Sequence, residues 1–101
     1  MSNITNETVE KLRSLIDHIV REVVDNDGDV EVNIVPASYR LLVELHTNEN
    51  DVGQVIGQGG HVVVGIRSIL AAFGGKNGLQ VTMDYVTEQE KNGGRDRARR
   101  R

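Results

Sequence analysis

Apolar residues recur at three- and four-residue intervals over residues 9–24, with mostly charged residues between them. This is the period of an amphipathic α-helix whose apolar stripe packs on a core. Thr5 or Asn6 could cap the start of the helix by accepting hydrogen bonds from backbone N–H groups. The acidic residues 25–29 are predicted to end it in a turn, where Gly28 is able to adopt the left-handed conformation.

Two segments then alternate apolar and polar residues with the period of two that is typical of β-strands. They cover residues 30–34 and 40–46, and residues 36–38 form the predicted connection. A connection this short predicts an antiparallel hairpin. His46 lies on the face opposite Leu45 and is interpreted as a solvent-exposed histidine, because no second ligand stands at a metal-binding spacing.

A short helix that extends through Ile56 is predicted next, with Asn48 or Asn50 as its N-cap. It leads into Gly57-Gln58-Gly59-Gly60, and another helix begins directly afterwards. Glycine adopts positive φ without a steric cost, so this segment predicts a sharp reversal with exposed N–H groups. Unpaired amides at a helix start attract phosphate. The alternative is a tight linker that binds nothing, and the glycines alone do not separate the two.

The helix after the glycine turn shows helical spacing over residues 62–73, and Gly74 and Gly75 are predicted to end it. Residues 79–85 then alternate as a third strand. The element order is helix, strand, strand, helix, turn, helix, strand. This order indicates an α+β fold.

The composition limits the classes of function. At 101 residues the chain has room for one domain, and without cysteine it can form neither disulfides nor thiolate metal sites. Tyr39, Phe73 and Tyr85 are the only aromatic residues, so an aromatic stacking platform for nucleic acid is not expected. The sequence shows no secretory leader and no apolar run of roughly 18 residues, so a cytoplasmic protein without a membrane segment is predicted.

No metal site, cofactor or catalytic residue is predicted. Residues 25–29 resemble the opening of a calcium-binding loop, but its sixth and twelfth positions would be Val30 and Pro36 instead of Gly and Glu. The glycine turn lacks the Lys-Ser/Thr ending of a P-loop. No motif places a catalytic triad or a carboxylate pair, and an enzyme is therefore not expected.

The charge is unevenly divided along the chain. Residues 91–101 carry six basic residues against one acidic residue, a net charge of +5, which leaves −8 on residues 1–90. Such tails often contact nucleic acid or an acidic partner, and the alternative is a disordered tail that serves solubility alone. The predicted organisation is a flexible lead-in over residues 1–5, a domain over 6–86 and a disordered basic tail over 87–101. The predicted nucleic-acid contacts of the tail are Arg95, Arg97, Arg99, Arg100 and Arg101.

The predicted element order, with Val55-Ile56-Gly57-Gln58-Gly59-Gly60 between the second and third helices, resembles a type II KH domain. Residues 57–60 occupy the place of that family's GxxG loop. Residues 51–57 and the segment Ile66-Arg67-Ser68-Ile69-Leu70 are similar to the small stand-alone bacterial members of the family. The resemblance covers about residues 9–85. It implies the order αββααβ and a three-stranded sheet with helices packed on one face.

The resemblance also implies a function, which is non-catalytic binding of single-stranded RNA. In KH domains the GxxG loop holds the backbone of about four nucleotides, and the bases lie in a groove beside the flanking helices. Some apolar residues of this groove must belong to the core, and Ile56 could belong to either. The predicted RNA-binding residues are Gly57, Gln58, Gly59, Gly60, His61 and Arg67, with groove walls from Val52, Val55, Ile56 and Ile66.

One departure from the family pattern concerns charge. KH loops usually carry a lysine or arginine within or just after the loop, whereas this chain has Gln58 and His61 there. A missing fixed cation weakens the attraction to phosphate, and the tail arginines could restore it. His61 is interpreted as an exposed polar residue at the start of the following helix.

Two functions therefore stay open. The glycine loop and the arginine tail favour an RNA-binding protein, with a role as RNA chaperone or post-transcriptional regulator linked to growth and cell shape. The acidic body and the uncharged loop favour a protein-interaction module. The resemblance implies that such a module acts as a homodimer or as a heterodimer with a larger KH protein of the KhpB/Jag type.

Overall fold

The computed structural model describes residues 4–86, and the structural findings below concern this range. Three helices and three strands follow one another in the order αββααβ, which confirms the predicted α+β arrangement. The elements are α1 (Asn6–Arg21), β1 (Glu31–Ala37), β2 (Arg40–His46), α2 (Val52–Ile56), α3 (His61–Asn77) and β3 (Gln80–Val86). Short 3₁₀ turns precede β1, α2 and α3.

The sheet has the order β1-β2-β3, with β2 in the centre. β1 and β2 form the predicted antiparallel hairpin, and β3 lies parallel to β2. Because parallel neighbours need a long crossover connection, α2, the glycine turn and α3 all lie between these two strands in the chain. Leu45 of β2 faces Val32 on one side and Tyr85 on the other, which sets the register of all three strands.

The core lies between one face of the sheet and the helices. Leu41, Val43 and Leu45 alternate along β2 and are fully buried, as are Leu12 and Ile16 of α1. Burial of such side chains stabilises each by about 1.5–3 kcal/mol relative to exposure. The other buried apolar residues are Val20, Val24, Val30, Val32, Val55, Val63, Ile66, Leu70, Leu79 and Met83.

The hairpin is tighter than the sequence predicted. β1 continues through Pro36 and Ala37, so that the turn consists only of Ser38 and Tyr39. Pro36 pairs with Leu41 in the register of the hairpin. Proline lacks an N–H donor, and an edge strand tolerates it because one side of that strand has no ladder to complete.

Neither α1 nor α3 ends at the glycines that the sequence suggested. Gly28 does not have positive φ. α1 ends instead in backbone hydrogen bonds from the Glu22 N–H to the His18 carbonyl and from the Val23 and Val24 N–H groups to the Val20 carbonyl. α3 does not stop at Gly74 and Gly75 but continues to Asn77, where Gly78 (φ +69°) is the left-handed cap.

Gly74 serves packing rather than helix termination. A Cβ atom at this position would lie 2.5 Å from the backbone oxygen of Leu79 and 3.2 Å from a methyl group of Val81. The Leu79 N–H also donates to the Gly74 carbonyl at 2.8 Å. The missing side chain therefore lets the end of α3 approach the start of β3.

His46 is not fully solvent-exposed, contrary to the sequence interpretation. The residue is half-buried, and its Nδ1 atom is buried without a hydrogen-bond partner. The neighbouring Thr47 is buried, and its hydroxyl lies 2.5 Å from the hydroxyl of Tyr85. The end of β2 thus combines a half-buried histidine with a buried contact between the hydroxyl groups of Thr47 and Tyr85.

Within residues 4–86, no single helix has both the length and the apolar composition to cross a membrane. The segments Glu49–Ile56 and Gln58–Asn77 reach that composition only together, with a bend of 53° between them. Val55, Val63, Ile66 and Leu70 of these segments are buried in the core.

Candidate nucleic-acid interface

The glycine turn has a backbone that other residues adopt only with strain. Gly57 has φ +76° and ψ 168°, Gly59 has φ +66°, and Gly60 has φ +79°. Among the described residues, positive φ occurs at no residue other than glycine. The conformation of Gly57 is essentially restricted to glycine, at a cost of order 1–3 kcal/mol for other residues.

Gly57 also has no room for a side chain. A Cβ atom there would lie 2.5 Å from a methyl carbon of Val62 and 2.9 Å from the backbone nitrogen of Val62. At Gly60, in contrast, a Cβ atom would have no neighbour within 4 Å. The first glycine of the loop therefore allows α2 to meet α3 closely, while the last lies on an open side.

The start of α3 is left without a side-chain cap. Gly60 is the N-cap residue in the left-handed conformation, and no side chain accepts a hydrogen bond in the capping position. The N-terminus of a helix carries a partial positive charge and unpaired N–H groups. Since α3 extends over 17 residues from His61 to Asn77, its open end is a suitable place for an anion.

Hydrogen bonds connect the short helix α2 and the residue before it to the segment between α1 and β1. The Asp51 carboxylate is 1% exposed and accepts hydrogen bonds from the backbone N–H of Asn26 at 3.0 Å and from its side-chain amide at 3.1 Å. Gln54 and Asp25 form two further hydrogen bonds, at 3.2 and 3.3 Å. These contacts hold the entrance of the glycine loop in place.

Sequence reasoning missed this anchor. It treated residues 25–29 only as a turn and assigned no role to Asp51. The acidic and amide residues concerned are 25 or more positions apart in the chain, and no periodic or motif signal connects them. A buried carboxylate needs hydrogen-bond partners, but burial itself was not visible in the sequence.

The polar residues predicted for the site lie at the surface. Gln58 and His61 are exposed on either side of Gly59. The His61 ring folds back towards the loop, and its Nε2 atom lies 3.5 Å from where a Cβ atom of Gly59 would be. A group bound to the loop backbone would therefore meet both side chains.

The four predicted groove residues divide into two pairs. Val55 and Ile66 are 1% and 3% exposed and belong to the core. Ile56 is 41% exposed and Val52 is half-buried. The apolar surface available beside the loop is therefore supplied by Ile56 and Val52.

Arg67 reaches from α3 to the edge of the sheet. Its guanidinium donates a hydrogen bond of 3.1 Å to the backbone carbonyl of Met83 in β3. The Gln80 N–H points towards β2, where it bonds the Tyr39 carbonyl at 2.9 Å. Since backbone groups alternate sides along a strand, the Met83 carbonyl faces the open side of β3. Arg67 thus lies along the outer edge of that strand.

The described residues contain no group of three or more His, Asp or Glu side chains placed to hold a metal ion. The predicted contacts Arg95, Arg97, Arg99, Arg100 and Arg101 lie outside the described residues. The site consists of backbone amides, exposed polar side chains and a small apolar surface. Such a set can bind and orient a ligand.

The chain is similar to known bacterial proteins. A family model described as "KhpA/KhpB, KH domain" matches residues 13–84. The chain is 38% identical over 66 residues to the RNA-binding protein KhpA of Mycobacterium tuberculosis H37Rv, which covers 65% of this chain and 81% of that protein.

Other bacteria also have similar proteins. The RNA-binding protein KhpA of Borreliella burgdorferi is 31% identical over 72 residues, or 71% of this chain and 88% of that protein. The protein of the same name from Aquifex aeolicus is 30% identical over 75 residues, or 74% of this chain and 95% of that protein. The family match ends at residue 84 and does not include the arginine tail.

Proposed function

The chain belongs to the KhpA/KhpB family of KH domains, and we propose that it binds single-stranded RNA through the backbone of residues 57–60. The observation that carries this proposal is the glycine turn at the uncapped start of α3. Relatives from several bacteria are named RNA-binding proteins, which supports the same class of ligand for this chain.

The phosphate contact follows from the backbone. Positive φ at Gly57, Gly59 and Gly60 turns the chain sharply, and the absence of side chains lets an RNA backbone approach. The partial positive charge of the α3 N-terminus attracts phosphate. The Gln58 amide and an N–H of the His61 ring would donate hydrogen bonds to the phosphate, without the fixed charge of a lysine or arginine.

The base contacts are proposed on the surface next to the loop. Ile56 and Val52 offer apolar area to the face of a base, and Arg67 stands at the open edge of β3. Phosphate contacts position the strand, while contacts with base edges determine sequence preference. A KH groove of this kind selects single strands because only unpaired bases present their edges and faces.

A pair of loop variants tests the proposal. Gln58→Asp with Gly59→Asp places two carboxylates where phosphate is expected, and Gln58→Asn with Gly59→Asn is the uncharged control. Asn and Asp are both enriched in the left-handed conformation that Gly59 has, so the two variants make the same demand on the backbone.

Binding of a mixed single-stranded RNA pool is measured across a salt series. We expect the Asp variant to lose binding by at least about tenfold and the Asn variant to stay within about threefold of the parent, because only the Asp variant repels phosphate. Circular dichroism and urea unfolding check that both variants are folded. Equal binding by the Asp and Asn variants would contradict a role of the loop in phosphate binding.

We propose that the arginine tail adds charge to this interface. Deletion of residues 91–101 removes six basic side chains, so the affinity for RNA should fall and the dependence of log K on log salt should become less steep. The measurement is the same salt series on the truncated protein. An unchanged affinity together with an unchanged slope would remove the tail from the proposal.

A second proposal concerns protein partners, and the exposed face of α3 favours it. Val64 is 59% exposed and Ile69 is 44% exposed, and the small residues Gly65, Ser68 and Ala72 are exposed on the same helix. An exposed apolar helix face is typical of an interaction surface. We propose that it pairs with a second copy or with a KhpB/Jag-like KH protein.

Val64→Asp tests this second proposal against the first. Sedimentation equilibrium should show a weaker self-association for the variant, since a carboxylate would be buried in the contact. Ser14→Asp is the control, because it adds the same single negative charge to an exposed position of α1. A parent protein that is monomeric at all concentrations and does not bind a KhpB/Jag-like protein would contradict the proposal.

The proposed cellular role is non-catalytic. A protein that holds short single-stranded segments fits an RNA chaperone or post-transcriptional regulator in the cytoplasm. A link to growth and cell shape is part of the same proposal. Sequencing of RNA crosslinked to the protein in cells, compared with the loop Asp variant, tests whether specific transcripts are bound.

A further inference from the structure

The sheet has a second face, opposite the core, that no helix of the described part of the chain covers. We call it the outer face. The inward residues of β2 are Leu41, Val43 and Leu45, so the outward residues are those between them. Val35 of β1 points to the outer face and is 47% exposed. One face of the sheet therefore packs on the helices, and the outer face is exposed to solvent.

One half of the outer face is acidic. Glu44 of β2 lies directly opposite Asp84 of β3 in the register, and Glu31 of β1 lies one row further along, opposite His46. Neighbouring strands are about 4.8 Å apart. Like charges directly opposite each other on one face are destabilising. The Glu44 and Asp84 pair is therefore unfavourable without a cation nearby.

The described residues do not supply that cation. Their three ion pairs all lie within α1, on the other side of the sheet. Arg40 points to the outer face, but its guanidinium contacts Gln80 at 3.4 Å, four residues from Glu44 along β2. At about 3.3 Å per residue, that separation is about 13 Å, which exceeds the screening length of about 8 Å at physiological salt.

The chain itself leaves the sheet at this acidic end. β3 ends at Val86, which lies opposite His46 in the register, and 15 residues follow. The arginines at 95, 97, 99 and 101 occupy every second position. In an extended backbone, residues at this spacing point to the same side. One face of such a segment would present four guanidinium groups.

The length between the sheet and these arginines is sufficient. Residues 87–94 can span up to about 28 Å, whereas a strand of seven residues such as β3 is about 23 Å long. The glycines at 93 and 94 allow a reversal without a steric cost. A short tether keeps its end at an effective concentration on the order of millimolar, so even weak contacts are populated.

We propose that the arginine tail docks on the outer face of its own sheet, with guanidinium groups on Glu44 and Asp84, when RNA is absent. Arginine and carboxylate pair through two parallel hydrogen bonds, which makes this contact directional as well as electrostatic. The tail would leave the outer face to contact RNA, a consequence that rests on the proposed function. The carboxylates of the outer face and the phosphates of RNA would thus compete for the same arginine side chains.

A spin label tests the docking without RNA. Because the chain has no cysteine, Ala98→Cys gives a single labelling site, and position 98 lies on the side of an extended tail away from the four alternating arginines. Nitroxide broadening of backbone amide signals is then recorded on the full-length ¹⁵N protein. We expect the strongest broadening at residues 42–44 and 82–84, and its loss at high salt.

Charge variants in the labelled protein identify the partner carboxylates. Glu44→Gln with Asp84→Asn should abolish the broadening. Glu7→Gln in α1 with Glu22→Gln directly after α1 changes the net charge equally and should leave the broadening intact. Broadening centred on residues 57–60, or none above the level of free nitroxide, would overturn the proposal. A mixture of labelled ¹⁴N protein and unlabelled ¹⁵N protein should show no broadening. Broadening of the ¹⁵N signals in that mixture would mean that the tail docks on a second copy instead, and would overturn the proposal.

RNA binding tests the competition separately. In the full-length protein, Glu44→Gln with Asp84→Asn should tighten RNA binding by about threefold to tenfold at low salt, the size expected for two exposed ion pairs. The α1 control should change it by less than about twofold. In a protein without residues 91–101 the outer-face variant should have no larger effect than the control. Equal tightening with and without the tail would mean simple charge repulsion and would overturn the competition.

The two proposals fail in different ways. If no variant binds RNA but the broadening on the outer face persists, the RNA proposal is wrong and the docking stands. If RNA binds through the loop but the broadening is absent, the docking is wrong and the RNA proposal stands.

Discussion

α1 and α3 pack on the same face of one sheet, yet their solvent-facing sides differ. α1 carries charged residues there, with ion pairs of Lys11 with Glu7, Arg13 with Glu10, and Arg21 with Asp17. α3 exposes Val64 and Ile69 and several small residues. The solvent-facing side of α1 is charged, whereas that of α3 is partly apolar, which is the property that the proposed interaction surface needs.

The two helices also begin differently. α1 starts at a threonine cap, where the Thr5 hydroxyl accepts a 3.1 Å hydrogen bond from the Thr8 N–H. α3 starts at the left-handed Gly60 and has no side-chain cap. The chain satisfies the start of α1 with its own side chain, whereas no side chain caps the start of α3. These differences favour α3 as the functional helix, and the following experiments test that assignment.

The largest effect is expected inside the core, where the two helices should behave alike. Ile16 of α1 and Leu70 of α3 are 0% and 1% exposed. Truncation of either to alanine should lower the free energy of unfolding by about 2–5 kcal/mol, from lost burial and the cavity that remains. Urea unfolding measures both. A cost below about 1 kcal/mol for Leu70→Ala alone would show that α3 is not part of the same core.

A smaller effect is expected at the start of α3. Gly57→Ala introduces an unfavourable φ and a contact with the Val62 backbone, so it should cost about 1–3 kcal/mol and weaken RNA binding. Gly53→Ala is the control, because that position has open space and lies within α2. It should be neutral or stabilising by up to about 1 kcal/mol. Equal stability of the two variants would contradict the loop geometry.

The start of α1 should respond to substitution without a functional consequence. Thr5→Ala removes the cap and should cost about 1 kcal/mol, while RNA affinity at a temperature where the protein stays folded should not change. Serine at the same position keeps a hydroxyl acceptor and should restore most of the stability. A loss of RNA affinity in folded Thr5→Ala would break the distinction between the two helix starts.

The smallest effect on stability is expected on the outer sides of the helices. Ser14→Lys on α1 and Ile69→Lys on α3 should each change the free energy of unfolding by no more than about 0.5 kcal/mol. They should differ in self-association, which only the α3 variant should weaken. Urea unfolding of dilute protein measures the free energy of unfolding, and sedimentation of concentrated protein measures self-association. Equal association of both variants would remove the α3 surface from the interface.

Most of the secondary-structure elements could be predicted from the local periodicity of the sequence. The apolar spacing predicted α1, the alternation over residues 30–34 and 40–46 predicted the hairpin, and the observed cap of α1 at Thr5 was one of the two proposed. Asn48 caps the 3₁₀ turn Glu49–Asp51 instead of α2, whose N-cap residue is Asp51. The glycine motif indicated a sharp turn at residues 57–60. These features depend on neighbours in the sequence, because helix period, strand period and turn chemistry act over a few residues.

Contacts between distant residues decided the rest. Gly74 could stay inside α3 because the helix approaches Leu79 there, so two glycines that locally resembled a stop do not end it. The buried contact of Asp51 with Asn26 and the core positions of Val55 and Ile66 also arise from packing. The sequence by itself determined the elements and the glycine loop, whereas the tertiary structure decided which apolar side chains stay available to a ligand, because burial depends on residues that are far apart in the chain.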